Sequence, residues 1–204
     1  KHFHKELNVK KSIIILIAVV VLVFFMITSA VGKYNTMVTM DEGVDAAWAQ
    51  VENVYQRRAD LIPNLVATVK GYAEHEQETF IAVTEARSKV GSVNLEGITN
   101  NPDAMAKFQQ TQGQLSSALS RLMVVVEKYP DLKANQNFLD LQTQLEGTEN
   151  RISVERNRFN TAAQGYNTVI RRFPGSIYAG MFGFERKAYF EAEAGSEKAP
   201  KVEF

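Results

Sequence analysis

From Val44 to Val90 one helical period governs the chain. Positions recur at alternating intervals of four and three through Val44, Trp48, Val51, Tyr55, Arg58, Ile62, Leu65, Val69, Tyr72, Glu76, Thr79, Val83, Ala86 and Val90. Eleven of these fourteen are apolar or aromatic. That is the repeat of one helix face, whereas a strand would alternate every second residue. A stripe of this length has to be covered, so the chain must fold as helices packed on helices. Two later stretches supply partners. Met105, Phe108, Gln112, Leu115, Leu119, Leu122, Val126 and Tyr129 keep the alternation, and so do Phe138, Leu141, Leu145, Thr148, Ile152, Glu155, Phe159, Ala162, Tyr166, Val169 and Phe173. The expected fold is all-α: an N-terminal transmembrane helix, then an up-and-down antiparallel bundle of about four helices at roughly 37–58, 61–90, 102–128 and 136–173.

Local signals set these boundaries. Arg57 and Arg58 suit a helix C-terminus, Asp60 suits an N-cap, and Pro63 is tolerated in a first turn, so a sharp break is expected near Pro63. The three-four phase runs on through Pro63, which keeps one continuous, kinked helix as the alternative. Residues 91–101, rich in Gly and Asn, read as a loop. Asn101-Pro102 reads as an N-cap followed by proline in the first helical position, and Tyr129-Pro130 reads as a stop. Ser176 to Phe184 is apolar and glycine-rich without a helical period. Residues 193–204 are small, charged and proline-containing, and read as a disordered tail.

Ser12 to Gly32, SIIILIAVVVLVFFMITSAVG, contains no charge. About 20 helical residues cross a hydrocarbon layer of ~30 Å, so the run is long enough to span a bilayer. A cleaved signal peptide would have an apolar core of about 7–15 residues and a small-residue cleavage site, of which Thr28-Ser29-Ala30 is a weak version. The expected reading is a retained single-pass anchor holding membrane lipid through residues 12–32. Lys1, Lys5, Lys10 and Lys11 precede the span, and Lys33 alone follows it closely. Residues 1–11 are therefore expected in the cytoplasm and residues 33–192 outside it, as a bundle. The stretch around Tyr34, Asn35 and Thr36 reads as a short polar tether between the two.

Charge and composition narrow the function. The chain has 23 basic and 23 acidic residues, but from Tyr34 onward 18 basic residues face 22 acidic ones. An acidic domain argues against nucleic acid, which calls for a basic face. There is no cysteine, so disulfides, thiolate metal sites and a lipid-modified cysteine anchor are excluded. His75-Glu76 lacks the second histidine four residues along a helix that a zinc site of this kind uses, and no Glu-x-x-His pair of a di-iron bundle occurs. His2 and His4 sit among lysines and read as membrane-surface residues. Glu74, Glu76 and Glu78 point apart on a helix. Serine-nucleophile and phosphate-loop motifs are absent. The residues thus point to no catalytic group, no metal and no cofactor. The aromatic positions read as core.

Two sets of residues stand out. Arg58, Glu76 and Glu155 carry charge at seam positions, beside the polar Gln112 and Thr148. Unpaired burial is costly, so a buried polar network is expected there, the charged residues contacting one another or nearby backbone. Ile177, Tyr178, Met181, Phe182 and Phe184 crowd an aperiodic segment that either caps the bundle or offers a contact to a partner or a second copy.

Several motifs in order carry a resemblance. Tyr34-Asn35 follows the apolar run. Ala47-Trp48, Arg57-Arg58, Asp60-Leu61-Ile62-Pro63-Asn64-Leu65-Val66, Val69-Lys70-Gly71-Tyr72-Ala73 and His75-Glu76 come next. Tyr129-Pro130, Leu132-Lys133-Ala134-Asn135, Glu149-Asn150, Ile152, Arg156, Tyr166-Asn167 and Gly183-Phe184 complete the series. Together, over Tyr34 to about Glu191, they resemble the LemA family of bacterial membrane proteins. Phe159-Asn160 departs from it, since the family pattern usually has tyrosine there. The resemblance implies an anchored helical bundle in the bacterial cell envelope, at the inner (cytoplasmic) membrane. It implies no settled biochemical activity and supplies no catalytic residues. The expected function is a non-enzymatic scaffold that binds other membrane or envelope proteins, with a homo-oligomer as one form of it; the alternative is a membrane-surface hydrolase with an unrecognised site.

Overall fold

The computed structural model describes residues 2–191. It contains helices α1 (His2–Lys70), α2 (Gln77–Gly91), α3 (Pro102–Val126), α4 (Pro130–Lys133), α5 (Gln136–Arg171) and α6 (Gly175–Phe182), with one 3-10 turn at Ile98–Asn100. No strand occurs among the described residues. The expected tail at 193–204 and the side chains of His2 and His4 lie outside the described residues.

Helix α1 has 69 residues and is unbroken, roughly 100 Å at 1.5 Å per residue. Residues 13–27 are exposed all round. Met37, only five residues past Gly32, is fully buried in the bundle. The expected polar tether at Tyr34–Thr36 is therefore absent, because nothing in that stretch stops a helix. Thr36 and Thr39 turn their hydroxyls back onto the carbonyls of Gly32 and Asn35 at 2.9 Å and stay in the helix.

The break expected near Pro63 is also absent, and α1 runs through it. Proline at 63 removes the N–H that would have bonded the carbonyl of Ala59. That carbonyl accepts instead from Arg87 Nε, on α2, at 3.0 Å. A cross-helix donor thus replaces the missing bond, and Ile62, Leu65 and Val69 on the far side of the proline are buried. The chain reverses later, at residues 71–76. Lys70 sits in the last turn of α1 and Glu78 in the first turn of α2, each placed favourably against the local helix dipole. At the turn the buried positions are Ala73 and Phe80, one past Tyr72 and Thr79, and Tyr72 is exposed; Val83 and Ala86 beyond it are buried in the original phase.

The remaining starts follow their caps. Asn101 accepts from the amide of Ala104 ahead of Pro102, and Asn135 accepts from the amide of Phe138, both at 3.1 Å. Gly97 makes the turn before the 3-10 segment with φ 65°, a conformation that favours glycine. Helix α2 descends along α1 and α3 ascends; α5 then descends the length of α1. Its start reaches Tyr72, whose hydroxyl accepts from Asn135 Nδ2 at 3.0 Å. Its far end lies by Met40 and Met37, which lie against Gly165 and Gly175. The up-and-down bundle of four long helices is thus present.

Two apolar cores fill it. The first, nearer the apolar run of α1, gathers Met37, Val44, Trp48, Val51, Tyr55, Phe108, Ile152, Phe159 and Tyr166. The second, at the far end, gathers Ile62, Leu65, Val69, Phe80, Val83, Leu115, Leu122 and Phe138.

Arg87→Ala should cost about 1 kcal/mol in chemical denaturation, the worth of one hydrogen bond. Pro63→Ala, which restores the donor within α1, should stabilise the Arg87→Ala protein more than the parent. Equal effects in both backgrounds would show that the Arg87 contact does nothing for the proline.

Candidate functional site

Between the two cores lies a polar layer centred on Arg58. Its side chain is 2% exposed. Nη1 donates to Glu149 Oε2 at 2.8 Å and to Ser116 Oγ at 3.1 Å, and Nη2 donates to Gln112 Oε1. The guanidinium also lies 5.1 Å from the centre of the Tyr55 ring. One charge from α1 thus joins α3 and α5. Gln112 and Thr148, the other polar seam positions, are buried at the same level, and Thr148 returns its hydroxyl to the carbonyl of Gln144 at 2.7 Å.

Arg58, Glu76 and Glu155 do not meet. Glu76 is 28% exposed and lies 4.0 Å from Lys128. Glu155 pairs at 2.9 Å with Arg158, one turn away on α5. The polar network is instead buried Arg58 and Gln112 with half-buried Ser116 and, at its outer edge, Glu149, whose side chain is 53% exposed. Gln112 was legible as a polar residue in an apolar period; Glu149 lies one position off the seam, where periodicity gives no signal.

Beyond α6 the chain crosses back over the bundle as an extended strap, residues 184–191. Side-chain amides hold its backbone. Asn167 donates to the carbonyl of Lys187 and accepts from its amide, both at 2.9 Å. Asn160 makes the same pair of bonds with Phe190, again at 2.9 Å. Gln109 repeats the pattern with Glu191 at 3.1 and 3.3 Å. The strap drives Phe190 among Trp48, Phe108 and Phe159, with ring centres 5.5–6.4 Å apart. Phe159, where a tyrosine is the resemblance's usual residue, is fully buried among rings, and no hydroxyl is needed there. Asn160 and Asn167, one heptad apart on α5, were the available sign of this strap.

Lys187 is the second buried cation. Its side chain is 4% exposed, with Nζ 2.7 Å from Asp41 Oδ1 and 3.4 Å from Asp45 Oδ1. It stands 5.7 Å from the Tyr166 ring centre. Burial, with the nearby carboxylates of Asp41, Asp45 and Glu185, pushes the Tyr166 phenol up to about 12, so it stays protonated at physiological pH. Each buried cation therefore has carboxylate partners on other elements and serves to lock helices together.

A concave surface lies elsewhere on the bundle. A cleft of about 500 Å³ opens between α1, α2 and α3. Tyr55, Val90, Leu95 and Phe108 give it an apolar floor, and Glu52 and Arg87 stand among its polar lining residues. No group of three His, Asp or Glu residues that could hold a metal occurs among the described residues.

The segment Ile177 to Phe184 was expected to lack helical structure. Most of it is α6, and its period was masked because the eight residues Gly175–Phe182 make barely two turns. Ala179 is buried, and Tyr178 and Phe184 pack on the first core. Ile177, Met181 and Phe182 are exposed.

The polar layer is tested by a double-mutant cycle. Gln112→Leu leaves a buried guanidinium short of an acceptor and should cost about 1–3 kcal/mol. Arg58→Met leaves the buried Gln112 oxygen without its donor while Glu149, 53% exposed, turns to water, and should cost about 1–3 kcal/mol. The double variant replaces both partners by apolar groups and should cost clearly less than the sum of the two. Strict additivity in urea denaturation would mean that the two residues do not act together.

Known proteins are similar in sequence to this chain. Magnetosome protein MamQ of Magnetospirillum gryphiswaldense is 30% identical over 191 residues, covering 85% of this chain and 70% of that protein. Magnetosome protein MamQ 2 of Paramagnetospirillum magneticum is 29% identical over 182 residues, covering 81% and 67%. Protein LemA of Metamycoplasma hominis is 24% identical over 162 residues, covering 79% and 70%. The LemA family model matches residues 47–204, which takes in every buried contact described above except those of Met37, Asp41, Val44 and Asp45, and the chain belongs to the LemA family.

Proposed function

We propose that the protein is a membrane-anchored, non-enzymatic scaffold that presents binding surfaces at a fixed height above the bilayer. The observation that carries this reading is the continuity of α1, whose exposed apolar run passes into the buried stripe of the bundle without a hinge. A bundle mounted in this way cannot swing on a tether, so its cleft stays at one height and in one position relative to the apolar run of α1. In this reading residues 12–32 span the inner membrane of a bacterium. The lysines before the span keep residues 1–11 in the cytoplasm and place 33–192 on the extracytoplasmic side.

The cleft between α1, α2 and α3 is the surface that takes a protein partner. Its apolar floor supplies burial, and Glu52 and Arg87 supply orientation by charge. A second copy of the chain is a further partner of the same class. Both buried cations are engaged in ion pairs within the bundle, which fits a structural use of charge better than a catalytic one.

The test uses photo-crosslinking residues placed in cells at Gln56 and Ser88, beside the cleft, and at Gln142, on α5. The first two should give discrete protein adducts and Gln142 should give none. In the same strain, cysteine replacing Ser92 should react with an impermeant maleimide in intact spheroplasts, and cysteine replacing Glu6 should not. The chain's lack of cysteine makes both labels unique. Turnover of an ester, peptide or phosphate substrate, abolished by one polar substitution that leaves the fold intact, would overturn the binding-only reading. Labelling confined to position 6 would reverse the orientation.

A further inference from the structure

The exposed face of α6 is apolar, and its packing fixes its height beside α1. Tyr34, two residues beyond the apolar run, meets Phe182 edge-on at 5.0 Å and Phe184 at 5.7 Å. Met37 lies against Gly175, at the start of the same helix. Helix α6 is thus packed beside residues 34–37 of α1, about 3–8 Å beyond Gly32 at 1.5 Å per residue. The headgroup layer on each side of a bilayer is about 5–8 Å thick, the difference between its full and hydrocarbon thickness. If residues 12–32 span, α6 lies at headgroup depth.

Its outward residues match that depth. Ile177 and Met181, one turn apart, are 52% and 70% exposed, and Phe173, just before the helix, is 83% exposed. Inward, Gly175 and Ala179 are buried and Tyr178 packs on the core, so the helix has two distinct faces. From Phe173 to Phe184 there is no charged residue. Arg171 and Arg172 precede this stretch and are exposed. An apolar helix face with a basic flank beside a spanning helix has the chemistry of an interfacial segment: apolar side chains dip below the headgroups while arginines meet lipid phosphates.

We propose that α6 and the turn before it form a second, interfacial membrane contact, with Phe173, Ile177 and Met181 seated among the lipids and Arg171 and Arg172 on anionic headgroups. This rests on the reading that residues 12–32 span the bilayer. With α1 crossing and α6 resting among the headgroups, two contacts fix the tilt of the bundle, which α1 alone leaves free.

The experiment places single cysteines in the full chain at Ile177, Met181, Leu139 and Val21, each labelled with the fluorophore NBD. The proteins are reconstituted into phosphatidylcholine vesicles with or without phosphatidylglycerol. A nitroxide near the top of the lipid acyl chain should quench labels 177 and 181 about twofold more than label 139, and aqueous iodide should show the reverse order. Phosphatidylglycerol should strengthen the lipid quenching, and Arg171→Glu with Arg172→Glu should remove that increase. Labels 177 and 181 behaving like 139, while Val21 is shielded from iodide, would overturn the lipid contact and leave the span intact. Iodide reaching Val21 would overturn both. Shielding of 177 and 181 that grows with protein density at fixed lipid composition would assign the face to a second copy and also overturn the proposal.

Discussion

A segment that crosses lipid must satisfy its own backbone hydrogen bonds, and a helix does so alone. Such a segment leaves the bilayer already helical, and whatever follows either stops it or inherits it. In this chain nothing stops it. Tyr34 to Thr36 contains neither glycine nor proline, and the bundle's first buried residue, Met37, falls on the same helix. The rest of the architecture depends on this inheritance. Helix α1 is the long post; α5 returns along it, and α2 and α3 pack as a hairpin against the pair.

A post of that length needs its partners held in register, and apolar cores alone do so weakly, since one Leu layer fits another. The Arg58 layer supplies a specific match. A guanidinium in the middle of α1 finds Gln112 and Ser116 on α3 and Glu149 on α5, and sliding either helix by one turn would leave a buried charge unpaired. Near the apolar run of α1, Lys187 of the strap does the same with Asp41 and Asp45. The amides of Asn160, Asn167 and Gln109 fasten the strap backbone, so residues with no helical or strand period of their own become part of the core.

Much of this was legible in the sequence. The three-four periods of α1, α3 and α5 specify their buried faces, and Asn101-Pro102 and Asn135 mark helix starts that the caps bear out. Pro63 misled because the rescue of the Ala59 carbonyl comes from Arg87, 28 residues away in sequence, and no local signal reports it. The turn at 71–76 was hidden because Val83 and Ala86 beyond it fall back on the period that precedes it. Arg58, Glu76 and Glu155 were expected at the seams in contact with one another or with nearby backbone; Arg58 lies in the polar layer between the two cores, Glu76 lies by Lys128, and Glu155 stays on α5 with Arg158, because one heptad phase does not mean one place. The strap was invisible to periodicity, because its bonds run from side-chain amides to backbone.

The continuity of α1 is measured most directly as a distance. Spin labels at Val31 and Gln56, both exposed, are 25 positions apart, which on an unbroken helix is about 38 Å on nearly the same face. In the full chain reconstituted in lipid nanodiscs, pulsed electron–electron resonance should give one narrow distribution near that value. A broad distribution extending to clearly shorter distances would place a hinge between the membrane and the bundle and contradict the rigid mount.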